Sequence, residues 1–181
     1  MSKSARSDRS AESADISALI AALAHEDPVE RHQAREALVA VGKPVVHRLI
    51  KLLSDPRMHV RWEAAKALGP ISDPSAALAL VNALEDKSVD VRWLAALGLI
   101  TLGCSGLHPL LTALMDRPDS IWLREGAHHI FHDLVGKRSL KMLRSVLTAL
   151  DHPEPEVAIP QAAYHALHEL QSLLENSGGS A

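Results

Sequence analysis

Hydrophobic positions in this chain recur at helical spacing, with polar residues filling the opposite faces. Ile16, Leu19, Ile20 and Leu23 form the first such stripe and predict a helix over about 15–24. Beyond it the runs alternate. First helices of successive hairpins are predicted over roughly 28–41, 57–68, 88–102, 120–135 and 156–175, and second helices over roughly 44–54, 74–85, 106–115 and 138–150. Asp27-Pro28 reads as a helix start, with Asp as N-cap, Pro at N1 and Glu30 placed to close a capping box. Asp55-Pro56 and Asp73-Pro74 repeat the signal. Gly42, Gly69, Gly103 and Gly136 fall where helices are expected to stop.

The pattern is also periodic on a longer scale. Val60-Arg61-Trp62 returns as Val91-Arg92-Trp93, followed by Ala64-Ala65 and Ala95-Ala96 respectively. Gly126-Ala127 and Ala162-Ala163 continue the small pair, at spacings of 31, 31 and 36 residues. Upstream, Arg31, Ala34 and Leu38 match Arg61, Ala64 and Leu68 at a spacing of 30, with Arg35 breaking the pair. A helical hairpin of this size cannot bury its own apolar face, so hairpins must stack. The expected fold is all-α, an α-solenoid of about four hairpins over 15–175, with a disordered N-terminal tail over 1–14 and a disordered C-terminal tail over 176–181.

The run of Asp-Pro, Val-Arg, Ala-Ala and Leu-Gly resembles the HEAT repeat, in the short bacterial form also found in phycobilisome-lyase-like proteins. The likeness covers about residues 27–170. It implies a right-handed solenoid of HEAT-like hairpins with terminal half-repeats. For function it implies scaffolding, complex assembly, chromophore attachment or, rarely, catalysis.

Composition narrows the classes. Apolar residues make up 47% and aromatics 3%, so Ala, Leu, Val and Ile must build a helical core. Cys104 is the single cysteine, which excludes an internal disulfide and favours a small buried hydrophobe. The net charge of −3 supplies no basic field, so nucleic acid is not an expected partner. No apolar run has the length of a membrane span and no signal-peptide core is visible, so a cytoplasmic location is expected.

Histidine is the residue in excess, with 11 copies. Glu125, His128, His129 and His132 share the face of the 120–135 helix opposite its apolar stripe, and suit zinc or another transition metal. Gln161, Tyr164, His165 and His168 occupy matching places 36 residues on. Were the two helices adjacent, His129, His132, His165 and His168 could form one interhelix site. An exposed polar face, idle or in contact with a partner, accounts for the same residues. The iron-binding His-Glu dipeptides of deoxyhypusine hydroxylase, a HEAT-type enzyme, are replaced here by His32-Gln33, Trp62-Glu63, Trp93-Leu94 and Arg124-Glu125.

The leading reading is therefore a non-catalytic protein–protein interaction scaffold or assembly factor, with no cofactor. A metal-binding or chromophore-lyase-like activity centred on the histidine helices is the alternative. The family resemblance places the concave face on the second helices, where His47, Arg48, Lys51, Asn82, Lys141 and Arg144 would meet a partner protein with an acidic patch. Trp62 and Trp93 are expected to pack between repeats or to anchor a partner. Arg61 and Arg92 are expected to form a ladder with acidic turn residues such as Asp90.

Overall fold

The computed structural model describes residues 15–138 and 140–178. The tail expected over 1–14 and residues 179–181 of the second tail lie outside the described residues. Among the described residues there are ten α-helices and no strands: α1 (15–22), α2 (Pro28–Val41), α3 (Val46–Leu52), α4 (Met58–Ile71), α5 (Ala77–Ala83), α6 (Val89–Leu102), α7 (Cys104–Asp116), α8 (Ile121–Arg138), α9 (Leu143–Leu150) and α10 (Pro155–Gly178). Short 3-10 turns at Lys43–Val45 and Pro74–Ala76 lead into α3 and α5. Helix α10 runs past 175 to Gly178.

The first helices α2, α4, α6 and α8 lie side by side in one layer, and α3, α5 and α7 pack beneath them. Equivalent positions show one register. Val60, Val91 and Leu123 are buried, as are Ala64, Ala95 and Ala127, and Leu68, Leu99 and Phe131. Each buried leucine contributes about 1.5–3 kcal/mol of transfer free energy. This register corrects the expected one: Ala95 corresponds to Ala127, so the small pairs are displaced by one residue between α6 and α8.

The turns before α2, α4, α6 and α10 are built the same way. Asp55 Oδ1 accepts from the Arg57 amide at 2.9 Å, and Asp86 Oδ1 from the Ser88 amide at 2.7 Å. Histidine replaces the acid at the two ends: His25 Nδ1 accepts from the Asp27 amide and His152 Nδ1 from the Glu154 amide, both at 3.1 Å. His25 thus holds the amide that a Glu30 capping box would have taken, while Asp27 caps Val29 at 2.8 Å. Asp55 likewise sits ahead of the helix, and Arg57 occupies the N-cap position.

Gly42 and Gly103 end their helices at positive φ, as expected, at 75° and 59°. Gly69 and Gly136 do not end theirs. Helix α4 continues through Pro70 to Ile71, where Ser72 takes the left-handed cap at φ 52°. Gly69 instead serves helix packing: a Cβ there would lie 3.7 Å from Gly98 Cα, so the two glycines let α4 and α6 approach. Gly136 lies inside α8.

Helix α10 buries Ile159, Ala163, Ala166 and Leu170, which match Leu123, Ala127, Ile130 and Leu134 of α8 in sequence register. Its packing neighbours, however, are α7 and α9 rather than α8. The first-helix layer therefore stops at α8, and α10 closes the second layer.

Candidate functional site

The arginines after the turns of α2, α4 and α6 tie those turns to their helices. Arg31 donates to the carbonyls of His25 and Glu26 at 2.9 and 2.7 Å, Arg61 to those of Asp55 and Pro56 at 3.0 and 3.2 Å, and Arg92 to that of Asp86 at 2.9 Å. Arg61 also grips the next turn, with Nε 2.6 Å and Nη2 3.0 Å from the two Asp86 oxygens. The ladder partner is thus Asp86 and not Asp90. Burial pushes the Asp86 carboxyl up, but the hydrogen bonds from Arg61 and from the Ser88 amide outweigh it and hold it below the usual range. The Arg57 hydrogen bond holds Asp55 down at about 2.

Arg35, which interrupts the small pair, is buried in α2. Its Nη1 meets Glu63 Oε2 of α4 at 2.6 Å, and Arg31 Nε lies 3.5 Å from the other Glu63 oxygen. Arg35 also contacts His32 and Glu36. Farther along, Arg117 and Ser120 both bond Glu85. These charges are used in joining repeats.

The tryptophans form a row across the same layer. Lys66 Nζ lies 4.2 Å from the Trp62 ring centroid, with Arg35 over that ring at 5.8 Å. The Arg92 guanidinium sits 4.8 Å from the Trp122 centroid, and the His129 ring lies 4.5 Å from Trp93. Trp62 is half-buried, while Trp93 and Trp122 are 51% and 44% exposed.

Helix α6 has almost no polar face. Val89, Trp93 and Leu97, spaced i, i+4 and i+8, form an apolar stripe toward solvent, with exposures of 63%, 51% and 39%. A cleft of ≈ 210 Å3 flanks it on the α8 side, with Ala96 and Gly126 among its lining residues and Trp93, Trp122, Glu125 and His129 beside them. A second cleft, of ≈ 300 Å3, flanks it on the α4 side and is lined by Ala65, Lys66, Gly69, Pro70 and Leu97. Met58 and Ile121, at the starts of α4 and α8, are also exposed.

Of this patch only Trp93 was expected, as a residue that packs between repeats or anchors a partner; Val89 and Leu97 were not. The signal was available in the run Val89-Asp90-Val91-Arg92-Trp93-Leu94-Ala95-Ala96-Leu97, which is apolar on all sides after Arg92.

The expected sites are distributed differently. His128 and His132 of α8 stack with ring centroids 6.5 Å apart, and His128 Nε2 lies 3.8 Å from Asp151 Oδ2. His129 turns toward α6 and Trp93, and Glu125 is exposed beside it. His165 and His168 are exposed on α10, where His165 meets Tyr164 edge-on at 5.8 Å. With α10 packed on α7 and α9, the two histidine pairs are not on adjacent helices, and the interhelix site expected from their register is not assembled. On the second helices, His47 and Lys51 are exposed on α3, while Arg48 bonds the Ser17 hydroxyl of α1 at 2.8 Å. Asn82 of α5 accepts from Arg117 at 3.5 Å. Lys141 and Arg144 are exposed near α9, separated from the α3–α5 row by the interposed α10. Cys104 is half-buried at the head of α7 and is a free thiol.

No helix among the described residues is long and apolar enough to cross a membrane. The family model of HEAT repeats matches residues 16–100. No curated protein matches the chain in sequence.

Proposed function

For a HEAT-repeat protein built in this way, we propose the role of a non-catalytic protein–protein interaction scaffold that binds through its first-helix layer. The observation that carries this reading is the apolar solvent stripe Val89–Trp93–Leu97 on α6. Large aromatic side chains held on a rigid helix lose little conformational entropy on contact, and tryptophan is enriched among residues that dominate binding energy. The ion pairs Arg35–Glu63 and Arg61–Asp86 support the same role, since they rigidify the layer that displays the stripe.

The surface differs from the second-helix row to which the basic residues pointed. Cross-linking in cells that make the protein, followed by mass spectrometry, separates the two. Trp93→Asp with Leu97→Asp should lose the cross-linked proteins while far-ultraviolet circular dichroism stays unchanged. Charge reversal at His47, Lys51 and Arg144 should leave them in place. Retention by the α6 variant with loss by the α3/α9 variant would overturn the assignment of the surface.

A further inference from the structure

The stripe on α6 is symmetric about Trp93. Val89 lies one turn before it and Leu97 one turn after it, so a twofold axis through Trp93, perpendicular to the helix, would set Val89 against Leu97 of a second, antiparallel copy. The charges beside the stripe have the same property. On the α4 side stand Asp90 and Lys66, and on the α8 side stand Arg92 and Glu125. Each flank thus carries an acid and a base beside the stripe, with Arg35 and Glu63 of the α4 side already paired to one another and His129 of the α8 side against Trp93.

The register places them as the axis requires. Asp90 is the second residue of α6, while Lys66 of α4 is equivalent to Leu97, so the axis brings Asp90 of one copy near Lys66 of the other. In the register that matches Ala95 to Ala127, Glu125 stands at the level of Trp93 and Arg92 one residue before it, so the axis sets Arg92 of one copy within one residue of the level of Glu125 of the other. A foreign partner carrying a strong charge of either sign would leave two of the four groups facing a like charge. A second copy sets each of the four near a group of opposite sign, while Arg92 keeps its bond to the Asp86 carbonyl and Lys66 its place over Trp62.

We propose that the α6 face is a self-association surface, pairing two copies of this chain antiparallel about Trp93. This rests on the scaffold reading and specifies its first partner. Such a dimer would leave the second-helix rows of both copies facing outward, giving two equivalent surfaces for a further protein.

Sedimentation equilibrium of the purified full chain over a roughly hundredfold concentration range tests this directly. The expected mass rises from 19.5 kDa toward twice that value. Lys66→Asp alone sets acid against acid at both ends of one flank, and Asp90→Lys alone sets base against base. Each should weaken association roughly tenfold or more. An equimolar mixture of the two variants should recover it, because each Asp at 66 then faces a Lys at 90 and each Asp at 90 a Lys at 66. Trp93→Asp should give a monomer, and the surface charge variants keep the test valid if that variant fails to fold.

A wild-type chain that stays monomeric throughout, or a mixture that associates no better than its components, overturns self-pairing. The scaffold reading would survive that result if Trp93→Asp with Leu97→Asp still lost its cross-linked partners. A monomer that also shows no cross-linked partners would overturn both.

Discussion

The Arg35–Glu63 pair offers the sharpest test of how the repeats are joined. Both side chains are almost fully buried, 6% and 5% exposed, and the Nη1–Oε2 distance is 2.6 Å. Replacing Glu63 by Ala removes the only carboxylate between Arg35 and Arg31 that is itself buried, and leaves Arg35 charged inside the α2–α4 interface. Breaking a buried pair from one side costs about 3–5 kcal/mol, because the surviving charge is left desolvated. The exposed Glu36 carboxylate 3.2 Å from Arg35 returns only about 0–1 kcal/mol of that. For a chain of this size, that corresponds to a fall in melting temperature of about 6–20 °C.

Arg35→Ala should cost less than Glu63→Ala, since Arg31 remains 3.5 Å from Glu63 and supplies a substitute partner. Arg35→Met with Glu63→Leu fills the space without charge and should fall within about 1 kcal/mol of wild type, or exceed it. Urea unfolding followed by circular dichroism gives all three values. Because neighbouring repeats stabilise one another in series, the Glu63→Ala variant should also show a shallower or biphasic transition as α1–α3 melt ahead of the rest. A Glu63→Ala cost below about 1 kcal/mol, or a double variant as damaged as Glu63→Ala alone, would refute the view that an obligate buried pair seals this interface.

Two further outcomes follow from the same layer. The Asp86 carboxyl is held below its usual range in the folded chain, so its contribution is complete above the unfolded value of about 3.9 and is lost as pH falls through the folded value. Asp86→Asn should therefore be destabilised by about 1.5–3 kcal/mol at neutral pH, with the gap to wild type closing below about pH 4 in acid-unfolding curves. Among the glycines, Gly69→Ala meets only Gly98 Cα at 3.7 Å and should be neutral or raise stability by up to about 1 kcal/mol, since alanine is the better helix former. Gly126→Ala meets Leu84 Cδ2 at 2.9 Å and should lower stability by about 1–3 kcal/mol in the same urea assay, so equal effects at the two sites would contradict the packing described.

How far the sequence speaks for this molecule depends on what kind of information each residue carries. Val60, Ala64 and Leu68 recur as Val91, Ala95 and Leu99 because a stacked helix must bury one stripe, and a buried stripe is written directly in residue type. The turns are less transparent. His25 and His152 replace an aspartate because an imidazole nitrogen can accept the same amide hydrogen bond, an equivalence visible in geometry and hidden in letters. Adjacency is the least transparent. The match of Ile159, Ala163, Ala166 and Leu170 to the core of α8 is a true register, yet register fixes only which face of α10 is apolar. It does not fix which helices cover that face, and α7 with α9 supply the cover. The interhelix arrangement of His129, His132, His165 and His168 required α8 and α10 to be neighbours, and α10 packs on α7 and α9 instead.

The α6 stripe shows the converse. Its residues were legible, but apolar residues on a helix are ordinarily assigned to the core. Only the placement of α6 between α4 and α8, with α5 beneath, shows that Val89, Trp93 and Leu97 keep much of their surface in solvent, even with Trp93 against His129 of α8 and Leu97 beside α4. A helix with packing partners on three sides needs a polar fourth side to remain in water. Three apolar residues in register on that side, bordered by an acid and a base on each flank, are what the proposed pairing of two copies would bury.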